Sequence, residues 1–257
     1  MTIDNLEIGN KKYMATLPNT LEDAIAQAAL ATKTALNDGR TRLQVDLVFP
    51  EIALQSQSIA QQFIPIFDEL GIVPKVLFAD TGAAALARRD WGAVGFKIDD
   101  VGTSRSLMEE KIQPEDEAFL LVAPSSVEVA QVEKLSNLAG DRPFILLNPQ
   151  LEDVSGVGIG YTARQLRERF LATIESCYYL RPLDGAAILR SYPSLWQVWL
   201  ETDDGYQIIA EESQRPVGDA LDLILAKATN NDTRETPAPQ KPGFLTNLQR
   251  FLNALTR

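Results

Sequence analysis

The chain of 257 residues contains no histidine and a single cysteine, Cys177. The first absence removes Ser-His-Asp and Cys-His nucleophile systems and every His-ligated zinc, iron or copper site. It also removes the commonest general base near neutral pH. An enzyme made from this sequence would rely on carboxylates, lysine, tyrosine or an oxygen-liganded cation such as Mg²⁺. One cysteine closes no disulfide within the chain, and a reducing compartment is expected. Long apolar runs are missing as well. The best candidates, residues 118–123 and 144–147, are strand-sized and fall far short of the roughly 18 residues of a membrane-spanning helix. The N-terminus carries Asp4 and Glu7 without an apolar h-region, and it is not Arg-rich and acid-poor. Neither a secretory signal nor an organelle transit peptide is therefore expected.

At 45% hydrophobic and 23% charged, the chain has the composition of a globular protein that buries a real core. Its net charge is −11, unevenly placed. Residues 241–257 hold Lys241, Arg250 and Arg257 and no acid, which leaves 21 basic against 35 acidic residues, or −14, elsewhere. A body of that sign disfavours nucleic acid unless arginines form a local basic face. A basic tail on an acidic body suggests that the two parts meet different partners.

Residues 1–16 are polar and irregular. A helix is predicted from Pro18, with Asn19 or Thr20 as its cap, through Leu21, Ala24, Ile25, Ala28 and Leu36 to a stop at Gly39. Leu43, Val45, Leu47 and Phe49 then alternate with Gln44, Asp46 and Val48, a strand ending at Pro50. Residues 59–70 read as a helix containing the awkward Pro65. Strands follow at 75–79, 94–98, 118–123 and 144–147, with helices at 81–91 and 127–138, the latter capped by Ser125 or Ser126. This alternation predicts βαβ units and a parallel sheet, and the runs AFLLVA and FILL suit central strands covered on both faces. After Tyr161 the rhythm changes. A helix over 163–174 precedes four strand-like pieces at 176–181, 186–192, 196–201 and 206–212, an antiparallel meander that extends the parallel sheet or forms a small sheet beside it. Residues 216–227 read as a closing helix.

The predicted class is therefore α/β: a Rossmann-like, mostly parallel sheet with helices on both faces, an antiparallel extension, and a C-terminal amphipathic helix. One domain spans residues 17–229, with its parallel part at 17–150 and its extension at 160–229. The Pro-rich stretch 230–242 reads as a flexible linker. In residues 243–257, Phe244, Leu245, Leu248, Phe251, Leu252 and Leu255 form a helical stripe. A helix this short is marginal alone in water, so the stripe implies a surface to bind. That surface is a membrane interface, a partner, or the chain's own domain.

Four constellations carry the functional reading. Ligands of open α/β sheets sit beyond the carboxyl ends of the strands. Here those ends carry Glu51, Asp80, Asp99, Ser125, Ser126 and Asn148. With strand order 3-2-1-4-5 the crevice falls between Glu51 and Ser125, the serines hold an anion and the aspartates Mg²⁺. The plainer reading is that such residues end strands and cap helices everywhere. Second, Gly156, Gly158 and Gly160, followed by Arg164 and Arg167, have residue types that suit a phosphate, but they match neither the dinucleotide nor the phosphate-loop spacing. Turn glycines and arginines paired with surplus acids are the preferred explanation. Third, Arg190, Tyr192, Trp196 and Arg215 mix apolar area with directional charge, as partner surfaces and ordinary strand pairs both do. The tail stripe is the fourth. No cofactor or resident metal is assigned.

The stretches VDLVFPE, FLLVAPSS, FILLNPQL, GVGIGYTARQLRERF and YYLRPLDGAAILRSYPSLWQVW, with the closing Arg215–Pro216, resemble a domain family of unknown function found in cyanobacteria and plastids. It includes the plant "low photosystem II accumulation" type assembly proteins. The resemblance covers about residues 16–228. It implies a photosynthetic setting and a role in photosystem II biogenesis, and it supplies no catalytic residue. Together with the missing transit peptide it points to a cyanobacterial-type member. The expectation is a non-enzymatic accessory or assembly factor that binds a protein partner. It would be cytoplasmic, or peripheral on the cytoplasmic face of the thylakoid membrane through its tail. The alternative is a phosphate- or nucleotide-binding enzyme using the carboxyl edge.

Overall fold

The computed structural model describes residues 16–50, 52–152 and 161–231. In chain order these form α1 (Leu21–Asn37), β1 (Arg42–Leu47), a 3-10 turn (Ile52–Gln55), α2 (Ser56–Leu70), β2 (Pro74–Phe78), α3 (Thr81–Trp91), β3 (Lys97–Asp100) and α4 (Met108–Lys111). There follow β4 (Ala118–Val122), α5 (Val129–Ala139), β5 (Phe144–Leu147), α6 (Tyr161–Arg169), a second 3-10 turn (Leu171–Thr173), β6 (Glu175–Leu183), β7 (Ala186–Ser191), β8 (Trp196–Thr202), β9 (Gly205–Glu212) and α7 (Asp219–Asn231).

Local chemistry accounts for several boundaries. Thr20 caps α1, its hydroxyl oxygen accepting the Asp23 N–H at 3.0 Å. Asp80 does the same for α3, accepting the Ala83 N–H at 2.9 Å. Pro65 does not end α2, because it lies on the exposed side, where a carbonyl deprived of its N–H partner meets water. Gly71, at φ 68°, ends that helix in the left-handed conformation. The helix expected over 163–174 divides into α6 and the second 3-10 turn, and the third strand lies later than expected, at Lys97–Asp100.

All nine strands join one sheet in the order β3-β2-β4-β5-β1-β6-β7-β8-β9. The six strands from β3 to β6 are mutually parallel, and β7, β8 and β9 add antiparallel. The meander thus extends the main sheet, because its first strand pairs parallel with β1, Gln44 opposite Ser176 and Leu47 opposite Leu180. The order also replaces the assumed 3-2-1-4-5. Here β4 and β5 stand between β2 and β1.

One face of the sheet is packed by α1, α2 and α3 around Ile25, Phe63, Phe67, Val45, Leu120 and Ile145. The other face carries two separate covers. Over β4 and β5, α5 packs Val132 and Leu135 against Phe119, Leu121, Phe144 and Leu146. Over the meander, α7 packs Leu221 against Tyr179, Ile188, Trp196 and Val198. Among the described residues, no helix is long and apolar enough to cross a membrane. The tail stripe at 243–257 and most of the linker lie outside the described residues.

Candidate functional site

Between the two covers lies β1, and register fixes what it shows there. Gln44 is paired with Leu146 on one side and Asp46 with Tyr179 on the other. In-register neighbours of a parallel sheet point to the same face, and Leu146 and Tyr179 belong to the two covered clusters of that face. Gln44 and Asp46 therefore form a polar seam where the apolar surface is interrupted. The opposite side of β1, with Leu43, Val45 and Leu47, is core.

The seam opens into a cleft of about 680 Å³ lined by Gln44, Asp46, Phe49, Ile52, Ser125, Ser126, Asn148, Glu152, Leu171, Tyr179 and Arg215, among others. Connectivity explains its place. From β1 the chain crosses through α2, over β5 and β4, to reach β2. From β5 it crosses through α6, over β1, to reach β6. The two crossovers leave neighbouring strands in opposite directions and pack on opposite faces. That is the arrangement that opens a crevice at the carboxyl ends of parallel strands.

Asp46 is 8% exposed, and the Gln44 amide nitrogen donates to both of its carboxylate oxygens, at 3.0 and 2.9 Å. Burial pushes its pKa up from 3.8 to about 7, against the lowering effects of the Gln44 bond and the Arg215 charge. Arg215 arrives from the segment joining β9 to α7. Its guanidinium carbon stands 5.2 Å from the Tyr179 ring centre and 6.0 Å from that of Trp196. The two rings meet edge to face at 5.2 Å, and Arg190 lies over Trp196 at 5.5 Å. The Arg190 guanidinium is itself tied to Glu175 at 2.5 Å and to the Ser176 carbonyl at 2.6 Å. Cation–π contact thus fixes both guanidinium groups on the meander face.

The rest of the cleft wall comes from two left-handed corners, Ala123 at φ 50° and Asn148 at φ 49°, at the ends of β4 and β5. The Asn148 amide oxygen accepts the Leu47 N–H at 2.8 Å, and its amide nitrogen is enclosed without an acceptor among the described residues. Ser125 donates its hydroxyl to Glu128 at 2.6 Å, and its backbone N–H reaches the same carboxylate at 2.9 Å. This reciprocal turn starts α5.

Of the residues singled out from the sequence, Ser125, Ser126 and Asn148 meet in the cleft with Arg215. Asp80 caps α3, and Asp99 accepts from Lys111 at 2.9 Å, so neither lines this cleft. Among the described residues no group of three acidic or cysteine side chains is placed to hold a metal ion. Glu51, Gly158 and Gly160 lie outside the described residues. Arg167 pairs with Glu152 at the cleft mouth, while Arg164 is exposed on α6. Tyr192 does not join Arg190 and Trp196. It packs with the opposite core and donates its hydroxyl to Asp38 at 3.1 Å. Sequence reasoning passed over Gln44, Asp46 and Tyr179. A carboxylate in mid-strand of a sheet expected to be covered on both faces was the available signal.

These features define a Rossmann-like α/β domain with an antiparallel extension and an open cleft at its carboxyl edge. The sequence matches the family described as "Domain of unknown function (DUF1995)" over residues 18–223, and the chain belongs to that family.

Proposed function

We propose that the protein is a non-enzymatic accessory factor of the photosynthetic apparatus, acting in photosystem II biogenesis, and that its α/β domain holds a protein partner. The observation that carries this reading is the surface around the meander stack. Leu195 and Val217, 47% and 54% exposed, adjoin Trp196 and Arg215 in the chain. Apolar side chains beside ordered arginines and aromatics are the composition of contact surfaces. The setting comes from the motif resemblance. The stripe at 243–257 supplies a second docking element, which brings the chain to the cytoplasmic face of the thylakoid membrane or to the same partner.

The test is complementation in a photosynthetic host lacking the gene. Loss of the gene should lower photosystem II relative to photosystem I, and the intact chain should restore it. A folded Leu195→Asp/Val217→Asp variant and a chain ending at Asn231 should each restore it less. Unchanged photosystem II in the deletion strain overturns the reading.

A second reading, a phosphate- or nucleotide-binding enzyme, is supported by the position of the cleft at a crossover reversal. It requires turnover. Absence of product from nucleotides and sugar phosphates with Mg²⁺ removes it.

A further inference from the structure

Arg215 is the side chain in the cleft whose placement asks for a ligand. The segment from Ser213 to Gly218 carries it from the far edge of the sheet back over β8 and β6, as its contacts with Trp196 and Tyr179 show. Pro216 next to it is buried, while Arg215 itself is exposed. Among the described residues no carboxylate lies within 4 Å of its guanidinium, although the chain has a surplus of acids. A guanidinium held on two ring faces has lost much of its conformational freedom already, so an anion that meets it costs little further ordering. Across the cleft, Ser126 stands at the turn leading into α5, and no hydrogen bond engages its hydroxyl among the described residues. The floor is the Gln44–Asp46 pair, and the Tyr179 ring forms an apolar side.

We propose that this cleft binds a small hydroxylated oxyanion, a phosphate ester or a hydroxycarboxylate. The charged end lies on Arg215, and the hydroxyl groups lie toward Ser126 and the Asp46 carboxyl. A cleft of about 680 Å³ is of the size that accommodates such a molecule. Asp46 sets the polarity of the floor. Protonated, it donates to the ligand and adds no repulsion. Ionised, it opposes an anion next to it. Among the described residues, the titratable and charged groups around it are Arg215 from the segment before α7, Tyr179 and Cys177 on β6, and Glu152 at the cleft mouth. For an oxyanion whose own charge is fixed over this range, such as a hydroxycarboxylate with one carboxylate, binding therefore strengthens as the pH falls through neutrality. The inference concerns what the cleft holds. It does not depend on the partner surface at Leu195 and Val217.

The test is calorimetric titration of the full chain with inorganic phosphate, glycerol 3-phosphate, glycerate and citrate, with glycerol as the uncharged control. At least one hydroxylated oxyanion should bind more tightly than about 1 mM, with glycerol inert. Arg215→Gln should weaken it by roughly tenfold or more, the worth of one charge-assisted contact, and Arg215→Lys by less. With glycerate, whose own charge does not change over this range, Asp46→Asn should abolish the change in affinity between pH 6 and pH 8. Cooperative urea transitions with midpoints at or above that of the native chain establish that the variants are folded. If no oxyanion binds, or if binding survives unchanged in a folded Arg215→Gln protein, the proposal is overturned. Either result leaves the photosystem II reading standing, because that reading is tested at Leu195 and Val217, which do not line the cleft.

Discussion

The Lys75 ammonium stands 3.3 Å from the Asp116 carboxylate with 6% and 3% of the two side chains exposed, an ion pair buried near the amino ends of β2 and β4. The partners are not equally provided for. Asp116 also accepts from Lys97 at 3.0 Å and from the Gln113 N–H at 2.9 Å, whereas the other partner of Lys75 is the Lys111 carbonyl at 2.7 Å. Burial pushes the Asp116 carboxyl upward, but the Gln113 bond, Lys97 and Lys75 together hold it below its ordinary value. Removing one partner of a buried pair leaves an uncompensated charge and costs about 3–5 kcal/mol. Asp116→Asn strands Lys75 and should cost that much in urea denaturation at pH 7. Lys75→Met leaves Asp116 its other two partners and should cost less. The opposite ranking would show that the pair is not organised around Asp116. Because the folded-state pKa is depressed, this contribution is present above the ordinary carboxylate range and is lost as the pH falls through it.

Asp46 should behave in the opposite sense. Its pKa is raised from 3.8 to about 7, so the folded state holds the proton more tightly than the unfolded chain. Stability is therefore lost as the pH rises from about 4 to about 7 and changes no further above that. Asp46→Asn removes the titration. Relative to the native chain, the variant should gain on the order of 2–4 kcal/mol at pH 8, and this advantage should vanish near pH 4. Urea midpoints at several pH values measure the gap, and a gap independent of pH would contradict a buried carboxyl at this position.

Cys177 is fully enclosed between Thr32, whose hydroxyl lies 3.5 Å from its sulfur, and the Gln44 carbonyl at 3.3 Å. Burial pushes its thiol up to about 12. At pH 8 about one such thiol in ten thousand would be ionised, and the thiolate is the reactive form. Iodoacetamide should leave the native protein unlabelled and should modify Cys177 in step with global unfolding in urea. Labelling in native buffer within minutes would mean that β6 opens locally.

What could be read from the sequence follows the range of the interactions that decide it. The runs around Phe119 and Ile145 read as central strands because burial on both faces selects apolar residues at consecutive positions. The cap is narrowed to Asn19 or Thr20 because capping is settled within one turn, the partner of Thr20, Asp23, being three residues away. Strand order was not legible, since α2 carries the chain over two strands that had not yet been formed in sequence, and no local pattern records that distance. Asp46 was hidden by the alternation of β1, which resembles a strand with one face in water. The structure instead places it between two helical covers. Arg215 was visible as a residue type, but the segment that carries it back across the sheet has no periodicity from which its direction could be read.

Asn148 and Ala123 form the left-handed corners of the cleft wall for different reasons, and substitution should separate them. The Ala123 N–H donates to the Leu147 carbonyl and the Asn148 N–H to the Val45 carbonyl, each at 2.8 Å, so both corners are locked into the ladder at the strand ends. A left-handed conformation costs an ordinary L-residue roughly 1–2 kcal/mol, and glycine adopts it freely. Ala123 has no side-chain bond to offset that cost, so Ala123→Gly should stabilise the fold by up to about 1 kcal/mol, less whatever the unfolded chain gains in freedom. Asn148 tolerates the conformation better and uses its amide oxygen to satisfy the Leu47 N–H. Asn148→Gly relieves the backbone but abandons that donor, whereas Asn148→Ala abandons it and keeps the strain. Urea midpoints should therefore rank Ala123→Gly above the native chain, Asn148→Gly below it, and Asn148→Ala lowest, with about 1 kcal/mol or more between the two Asn148 variants. If Asn148→Ala matched the native chain, the bond to Leu47 would not be holding the corner, and the cleft wall would have to be maintained by the strand ladder alone.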